Sequence, residues 1–296
     1  MTLPNFLIVG ANKAGTTSLH EYLKQHPQIL MSPIKEPMFF VWAGRNIPDD
    51  SMNRMAKKKE IINNIDSYKK LFLSDKRYIA IGESSTAYMT NPNVPDNIKK
   101  LIPKMKIIAI IRNPIERAYS HYRMFVKERI EVRSFMRSVI EELEKPEIVP
   151  LPQRYLKRGF YSDNLIKYRN KFGPENVKII LFETFVNKTS EVLKEIYCFL
   201  NVDATFRAKL GDKFNVGIIN DNYLHIQNRI IMAIYRKNPK KLAGLRVVEF
   251  IERYFTNHFS KTQLTPPLRR KLIDYYKPEI LNLEKITKLD LRSWTL

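Results

Sequence analysis

The stretch FLIVGANKAGTTSL, residues 6–19, contains the local pattern that decides the fold. Its first five residues suit a buried strand, and a short loop follows that begins at Gly10 and contains Gly15. After the loop, Leu19, Tyr22 and Leu23 recur at helical spacing. A strand, a tight loop and a helix start in this order direct several backbone N–H groups at one point, which suits a phosphate-like anion. The stretch therefore predicts an anion-binding loop in an α/β protein.

Strand and helix patterns alternate along the rest of the chain, which is typical of a parallel sheet flanked by helices. The strands are predicted at 6–10, 78–82, 106–111 and 177–182. The helices are predicted at 16–25, 114–128, 161–172, 190–200 and 268–289, with Pro278 as a candidate break in the last. Because no repeat, low-complexity tract or Gly/Ser linker divides the chain, residues 1–296 are expected to form a single domain.

The composition excludes a disordered chain, since 44% of the 296 residues are hydrophobic and 27% are charged. The 51 Lys and Arg residues exceed the 30 Asp and Glu residues, so the net charge is +21. From residue 207 to the end there are 18 basic and 8 acidic residues. An anionic partner is expected, and the charge alone leaves nucleic acid, a membrane surface, an acidic polymer and a small polyphosphate open.

The single cysteine, Cys198, excludes an internal disulfide. The first ten residues lack the basic and apolar regions of a secretory signal, and their apolar run is too short to span a bilayer. A reducing cytoplasm is therefore the expected compartment, with a lumenal domain excised from a membrane-anchored protein as the less favoured alternative. No pair of His or Cys residues has metal-ligand spacing, so no bound metal is expected.

The loop differs from that of a P-loop kinase at one decisive position. Gly10 and Gly15 have the G-x-x-x-x-G spacing, but Thr16 stands where such an enzyme has lysine. The lysine lies at position 13, and the strand that could supply an acidic metal ligand ends in Arg112. These residues favour an anion neutralised by protein cations without a metal. A kinase, and a loop whose Ser and Thr residues only cap the helix, are the alternatives.

A second anion site is predicted where the strand at 106–111 ends. Arg112 follows the strand directly, Pro114 suits a first helical turn, and Ser120 comes eight residues after the arginine. A guanidinium can bind a phosphate through two parallel hydrogen bonds, and the hydroxyl adds a third. Since parallel strands end at the same edge of a sheet, both anion sites are expected at this edge.

In these motifs the chain resembles the sulfotransferases that use 3′-phosphoadenosine 5′-phosphosulfate (PAPS). ANKAGTTSL is similar to the family's 5′-phosphosulfate loop, and IRNPIERAYSHY is similar to its 3′-phosphate motif. Further similarities are SPIKEPMFF, GESSTAY, RGFYSDNL and the closing LTPPLRRKLIDYYKPEILNLEKI, so the resemblance extends over about residues 6–294. The KEPMFF and GESSTAY segments are closer to the bacterial and Golgi glycan-type branch than to the cytosolic phenol and steroid branch.

The resemblance implies a reaction and a role for each motif. A sulfuryl group would move from PAPS to a hydroxyl, or an amine, of a glycan or a hydroxylated natural product. Lys13 would contact the phosphosulfate and ease departure of adenosine 3′,5′-diphosphate, and Glu36 would be the general base. The implied donor-binding residues are Asn12, Lys13, Ala14, Gly15, Thr16, Thr17, Ser18, Arg112, Ser120, Tyr161 and Gly217.

Some features depart from this pattern or favour other interpretations. Ser84 stands where many glycan-type relatives have lysine, and Lys35 is a candidate replacement for that charge. His20 is a second candidate base, although its place on the loop helix favours a helix-face residue. A protein that binds nucleic acid or another anionic polymer would also explain the charge, but no DNA- or RNA-binding motif is present, so no nucleic-acid partner is expected.

Overall fold

A computed structural model describes residues 3–47, 60–128, 130–131, 133–211 and 264–296. In these ranges five short strands form one parallel sheet. They are β1 (Phe6–Ile8), β2 (Ile29–Met31), β3 (Ala80–Ser84), β4 (Lys106–Ile111) and β5 (Val177–Leu181). Helices flank the sheet, so the predicted α/β fold class is confirmed.

The strand order is β2-β3-β1-β4-β5, with β1 at the centre. Phe6 of β1 pairs with Gly82 of β3 on one side and with Lys106 of β4 on the other. All residues of β1 and β3 are buried, which explains why their sequences do not alternate between apolar and exposed polar residues. After β1 the chain first builds one half of the sheet and then crosses to β4. The carboxyl ends of β1 and β4 therefore form a topological switch point, where open α/β sheets bind ligands.

Gly10 permits the close approach of β1 and β4 at this switch point. A Cβ atom at position 10 would lie 2.2 Å from Ile110 Cγ2 and 2.7 Å from Ile110 O. The neighbouring N–H groups of Val9 and Ala11 donate to Ile108 O and Ile110 O, both at 2.9 Å. The glycine thus lets the loop leave β1 while it is still hydrogen-bonded to β4.

Side-chain caps mark the starts of three of the described connecting helices, at Asn64, Asn113 and Ser134. At the start of the longest connecting helix, the Asn113 side chain accepts the N–H groups of Ile115 and Glu116, and Pro114 occupies the first turn. The helices are α1 (Thr16–Lys24), α2 (Phe39–Trp42), α3 (Ile65–Lys70), α4 (Ala87–Thr90), α5 (Val94–Leu101), α6 (Pro114–Lys127), α7 (Phe135–Glu144), α8 (Ser162–Phe172), α9 (Phe182–Asn187), α10 (Thr189–Leu200) and α11 (Pro266–Thr287).

Buried apolar residues form one continuous core in the described part of the chain, from Phe6 in β1 to Trp294 near the C-terminus. Helix α11 contributes Leu272, Tyr276 and Ile280 to this core and contacts α6 and α8. Within the described ranges, none of the helices combines the length and the hydrophobicity that crossing a bilayer requires.

Helices α2 to α5, α7 and α9 were not predicted from the sequence, and three further elements differ from the sequence prediction. Strand β2 was missed, because three residues are too few to show a period. Strand β3 begins two residues later than predicted and extends to Ser84, because it pairs with β1 through polar residues that an apolar pattern does not include. Helix α11 continues through Pro278, since its buried face carries Tyr276 before the proline and Ile280 after it. Packing along this face outweighs the backbone hydrogen bond that proline removes.

Candidate functional site

A cleft of about 670 Å³ lies at the carboxyl ends of β1 and β4. This cleft is lined by most of the residues that the motifs predicted to bind the donor or to act as the general base. These residues are Asn12, Lys13, Gly15, Thr16, Thr17, Ser18, Glu36, Arg112 and Ser120. Both predicted anion sites and the predicted base are therefore parts of one cleft.

The loop after β1 leaves its hydrogen-bond donors available to this cleft. Gly15 occupies the N-cap position of α1 with a left-handed φ of +86°, so no side chain caps the helix. The N–H groups of the first helical turn have no acceptor within the helix. Thr16, Thr17 and Ser18 line the cleft, and no side chain makes a capping hydrogen bond at the start of this helix. The alternative that Ser and Thr residues only cap this helix is therefore wrong.

Lys13 and Arg112 bring two positive charges together in the cleft. Arg112 Nη1 donates to Lys13 O at 3.0 Å, and Lys13 itself has a left-handed φ of +68°. Burial lowers the pKa of Lys13, and so do the charges of Arg112 and of two basic residues of α6. A bound anion would offset this desolvation and repulsion, so the electrostatics favour a strongly anionic ligand.

Arg112 has an unsatisfied donor. Its guanidinium lies over the ring of Phe182, at 4.5 Å from the ring centre. Its Nε is buried and has no hydrogen-bond partner among the described residues. Burial is the main cause that lowers the pKa of Arg112. A buried donor without an acceptor costs about 1–3 kcal/mol, which a bound anion would recover.

Two of the residues that were predicted to bind the sulfuryl donor do not line the cleft, and a third cannot be placed in it. Ala14 is buried, and its N–H donates to Ala11 O at 3.2 Å within the loop. Tyr161 is also buried, and its hydroxyl donates to Arg112 O at 3.0 Å, so it supports the backbone directly after β4. Gly217 lies outside the described residues.

Arg117 is a fully buried cation that sequence reasoning missed. Its Nη1 donates to Asn12 Oδ1 at 3.0 Å, and its Nη2 donates to Tyr155 O. The bond to Asn12 ties the loop after β1 to α6, so the two anion sites keep a fixed spacing. In sequence Arg117 is indistinguishable from a surface arginine of a helix, and only packing identifies it.

Arg158 is a second missed cation, and it lines the cleft. Burial, followed by the charge of Arg117, lowers the pKa of Arg158 to about 10. Arg158 belongs to the segment RGFYSDNL, from which only Tyr161 was predicted to take part in binding. The motif was therefore the signal that could have identified it.

Glu36 reaches the cleft from the turn after β2. Its φ of +63° is left-handed, and a non-glycine residue in this region costs about 1–3 kcal/mol. Its N–H donates to Ser84 O at 2.9 Å, and its Oε1 lies 3.1 Å from Lys35 Nζ. Lys35 thus places its positive charge beside Glu36, as expected if it replaces the lysine that is missing at position 84. Ser84 itself is fully buried. A mostly buried carboxylate on the wall of a cleft is suited to accept a proton from a ligand hydroxyl.

The two histidines near the loop are poorly suited to be a base. His20 is buried in α1 and is not a cleft residue, and burial followed by nearby lysines lowers its pKa to about 4. His121 lines the cleft, but burial and the charges of Arg117 and Arg158 hold its pKa well below its ordinary value. His20 therefore lies outside the cleft in which a proton would be removed, and the neighbouring arginines disfavour the protonation of His121.

The remaining walls are largely apolar. Phe182 and Phe185 lie beside Gly15, and Met38 and Trp42 lie on the wall that carries Glu36. In the part of the chain that the structure describes, no three His, Cys, Asp or Glu side chains are grouped as a metal site would require.

Comparisons with known proteins agree with the motifs. A model of the "Sulfotransferase family" matches residues 4–206. The membrane-associated sulfotransferase kil1 of Dictyostelium discoideum is 30% identical over 127 residues, which are 43% of this chain and 24% of that protein. Carbohydrate sulfotransferase 15 of Rattus norvegicus is 25% identical over 252 residues, covering 68% of this chain and 44% of that protein. The chain therefore spans less than half the length of these curated relatives.

A solved structure is similar over its whole length. The crystal structure of a sulfotransferase from Alicyclobacillus acidocaldarius is 27% identical, with a TM-score of 0.76 and 100% of both chains covered. The parallel sheet and its flanking helices are thus those of an experimentally known fold.

Proposed function

The chain belongs to the sulfotransferase family, and we propose that it transfers a sulfuryl group from PAPS to a hydroxyl, or an amine, of a polar acceptor. One observation carries this proposal: Lys13, Arg112 and Glu36 line the same cleft. This arrangement supports a site in which cations would bind a polyanionic donor and a carboxylate would take the acceptor's proton. We also propose that residues 1–296 form a single domain, which the continuous core from Phe6 to Trp294 supports.

The cleft residues fit a donor with anionic groups at both ends of its ribose. The uncapped start of α1 and the hydroxyls of residues 16–18 would hold the 5′-phosphosulfate. The unsatisfied Nε of Arg112 and the hydroxyl of Ser120 would hold the 3′-phosphate. Tyr161 would act through the backbone of Arg112, and Gly217 keeps its proposed place among the donor-binding residues.

When bound, PAPS would supply the sulfuryl group, whose bond to the bridging phosphate oxygen breaks as its bond to the acceptor oxygen forms. A carboxylate oxygen of Glu36 takes the proton that the acceptor hydroxyl loses. The ammonium of Lys13 neutralises the negative charge that grows on the departing phosphate. Because side chains of the protein supply this positive charge, the proposed mechanism uses no metal.

A glycan is the acceptor class that we propose, with a hydroxylated small natural product as the alternative. A net charge of +21 suits a sulfated or otherwise acidic glycan, and one relative is named a carbohydrate sulfotransferase. The cytoplasm is the proposed compartment, supported by the single cysteine, although the name of the kil1 relative places that protein at a membrane.

Transfer is tested by incubating the protein with PAPS and an acceptor library. We expect adenosine 3′,5′-diphosphate to accumulate and one acceptor to gain an SO₃ group, both measured by mass spectrometry. Lys13→Ala should lower both yields together. In a parallel thermal-shift measurement, adenosine 3′,5′-diphosphate should stabilise the protein more than ATP with Mg²⁺ does. Stabilisation by ATP with Mg²⁺ alone would contradict the proposal and favour a kinase.

A further inference from the structure

The segment that carries Glu36 needs support from outside itself. Glu36 and Met38 both have left-handed backbones, with φ of +63° and +54°. Non-glycine residues keep this conformation only where the surrounding structure over-determines it. One contact is the hydrogen bond from Glu36 N–H to Ser84 O at the end of β3.

Two hydroxyl groups supply further contacts. Ser85 Oγ accepts the N–H of Met38 at 3.2 Å, and the Tyr88 hydroxyl accepts the N–H of Phe40 at 3.3 Å. Each hydroxyl has one hydrogen, and both hydrogens point to Glu83. Ser85 Oγ donates to Glu83 Oε2 at 2.9 Å, and the Tyr88 hydroxyl donates to Glu83 Oε1 at 2.6 Å. Because the hydrogens are directed to the carboxylate, lone pairs of the oxygens remain for the backbone N–H groups.

We propose that Glu83 is a positioning residue: its ionised carboxylate orients the hydroxyls of Ser85 and Tyr88, and these hold the backbone of residues 36–40 so that Glu36 faces the acceptor. This inference rests on the proposed function, in which Glu36 is the base. Glu83 is fully buried, and it is not a cleft residue, so it acts only through the segment that it supports.

Only an ionised carboxylate satisfies this arrangement. It accepts at both oxygens and donates nothing, so both hydroxyls can donate to it. A protonated acid or an amide places a hydrogen against one hydroxyl, whose own hydrogen then loses its acceptor. The pKa of Glu83 is raised to about 7, because burial and, to a smaller extent, the charge of Glu36 raise it more than the three hydroxyl bonds lower it. The groups that face Glu83 are Glu36 and the tyrosines Tyr68, Tyr88 and Tyr168.

The central experiment compares Glu83→Gln with wild type. At pH 8 we expect kcat to fall by about 10- to 100-fold, because a small misplacement of a reacting group has effects of this size. The Kd for adenosine 3′,5′-diphosphate should stay within about twofold, since no donor-binding residue depends on Glu83. In wild type, kcat should fall as the pH decreases through about 7, and Glu83→Gln should lose this step.

Two tyrosine variants form a matched pair. Tyr88→Phe removes a hydroxyl that bonds both Glu83 and the N–H of Phe40. Tyr68→Phe also removes a hydroxyl bond to Glu83 Oε1, at 3.3 Å, but this hydroxyl has no bond to residues 36–40. Tyr88→Phe and Ser85→Ala should each lower kcat, whereas Tyr68→Phe should leave it within about twofold of wild type. These variants keep the inference testable if Glu83→Gln does not fold.

Amide hydrogen exchange gives a readout that does not depend on catalysis. The N–H groups of Met38 and Phe40 should exchange at least about tenfold faster in Glu83→Gln at pH 8, and that of Phe40 should do so in Tyr88→Phe but not in Tyr68→Phe. Equal effects of the two tyrosine variants, or wild-type exchange and kcat in Glu83→Gln, would overturn the inference. If exchange changes as expected but wild type transfers no sulfuryl group, the support by Glu83 stands and the proposed function fails.

Discussion

At the scale of single residues, the cleft separates two tasks that a sulfuryl transfer needs. Lys13 and Arg112 concentrate positive charge where burial has already lowered the pKa of both groups. Glu36 provides a carboxylate on another part of the wall, next to Lys35. Substitutions at these residues should therefore affect donor binding and proton removal separately.

Replacing the proposed base should slow transfer without weakening donor binding. General-base catalysis contributes about 10² to 10⁴ in rate, so Glu36→Gln should lower kcat by that much. Affinity for adenosine 3′,5′-diphosphate, measured by calorimetry, should stay within about threefold. His20→Ala is the control, because His20 is buried outside the cleft. A Glu36→Gln enzyme at wild-type speed would remove Glu36 from this role.

Replacing Arg112 should erase the preference for a 3′-phosphate. Wild type should bind adenosine 3′,5′-diphosphate far more tightly than adenosine 5′-monophosphate, because only the former has the phosphate that Arg112 and Ser120 are proposed to hold. Losing one partner of such a charged pair costs about 2–5 kcal/mol, so Arg112→Ala should remove most of the difference. Equal affinities of the wild type for the two nucleotides, measured by calorimetry, would refute the assignment.

At the scale of elements, two strand ends and the helices after them build the proposed anion sites. The loop after β1 offers backbone N–H groups at the start of α1, and the end of β4 offers Arg112 at the start of α6. Arg117 of α6 joins these units through Asn12. A P-loop kinase needs lysine at position 16 and an acid at a strand end, and this chain has Thr16 and Arg112 there.

Metal independence follows from these two elements. Because protein cations and N–H groups line the cleft in which the donor is proposed to bind, excess EDTA should leave the transfer rate within about twofold of that without chelator. The measurement is the initial rate with EDTA, with Mg²⁺ and with neither. A rate that disappears with EDTA and returns with Mg²⁺ would contradict this expectation.

A buried carboxylate of α11 caps α8. The N–H groups of Tyr161 and Ser162 donate to Glu279 Oε1 at 2.7 and 2.8 Å, and Ser162 Oγ donates to Glu279 Oε2 at 2.7 Å. Glu279→Ala would leave these buried donors without an acceptor and should lower the free energy of unfolding by about 2–5 kcal/mol. Denaturant unfolding measures this change. Lys277→Ala, an exposed position of the same helix, is the control and should change it by less than about 0.5 kcal/mol.

At the scale of the whole molecule, Glu83 couples stability to pH. Its pKa is raised from 4.5 to about 7 in the folded state, so the folded protein keeps a proton that the unfolded chain releases in this range. The stability that this group contributes is fully present below pH 4.5 and is lost as the pH rises through about 7. The folded protein is thus less stable at a pH at which Glu83 has the ionised state that is proposed to position Glu36.

The pH dependence of unfolding tests this coupling. Between pH 4.5 and 7, Glu83 should lower the free energy of unfolding of wild type by on the order of 3 kcal/mol. Glu83→Gln should reduce the slope of the free energy of unfolding against pH. Burial also raises the pKa values of Glu142 and Glu279, so these two groups should keep part of the pH dependence in the variant. Denaturant unfolding at several pH values gives the two slopes. Identical slopes would show that Glu83 does not titrate in this range.

The sequence by itself determined the fold class and identified several residues of the cleft, because both depend on local patterns. Apolar runs specified β1 and β4, and Gly15, Arg112 and Ser120 line the cleft as their motifs predicted. Only the tertiary structure decided which polar side chains are buried and what they bond. Arg117 and Glu83 look like surface residues in sequence, yet both are fully buried. Arg117 donates to Asn12 in the loop after β1, and Glu83 accepts from the Tyr88 hydroxyl of α4. Such burial depends on packing between distant segments, and the local hydrophobic periodicity of a sequence does not show it.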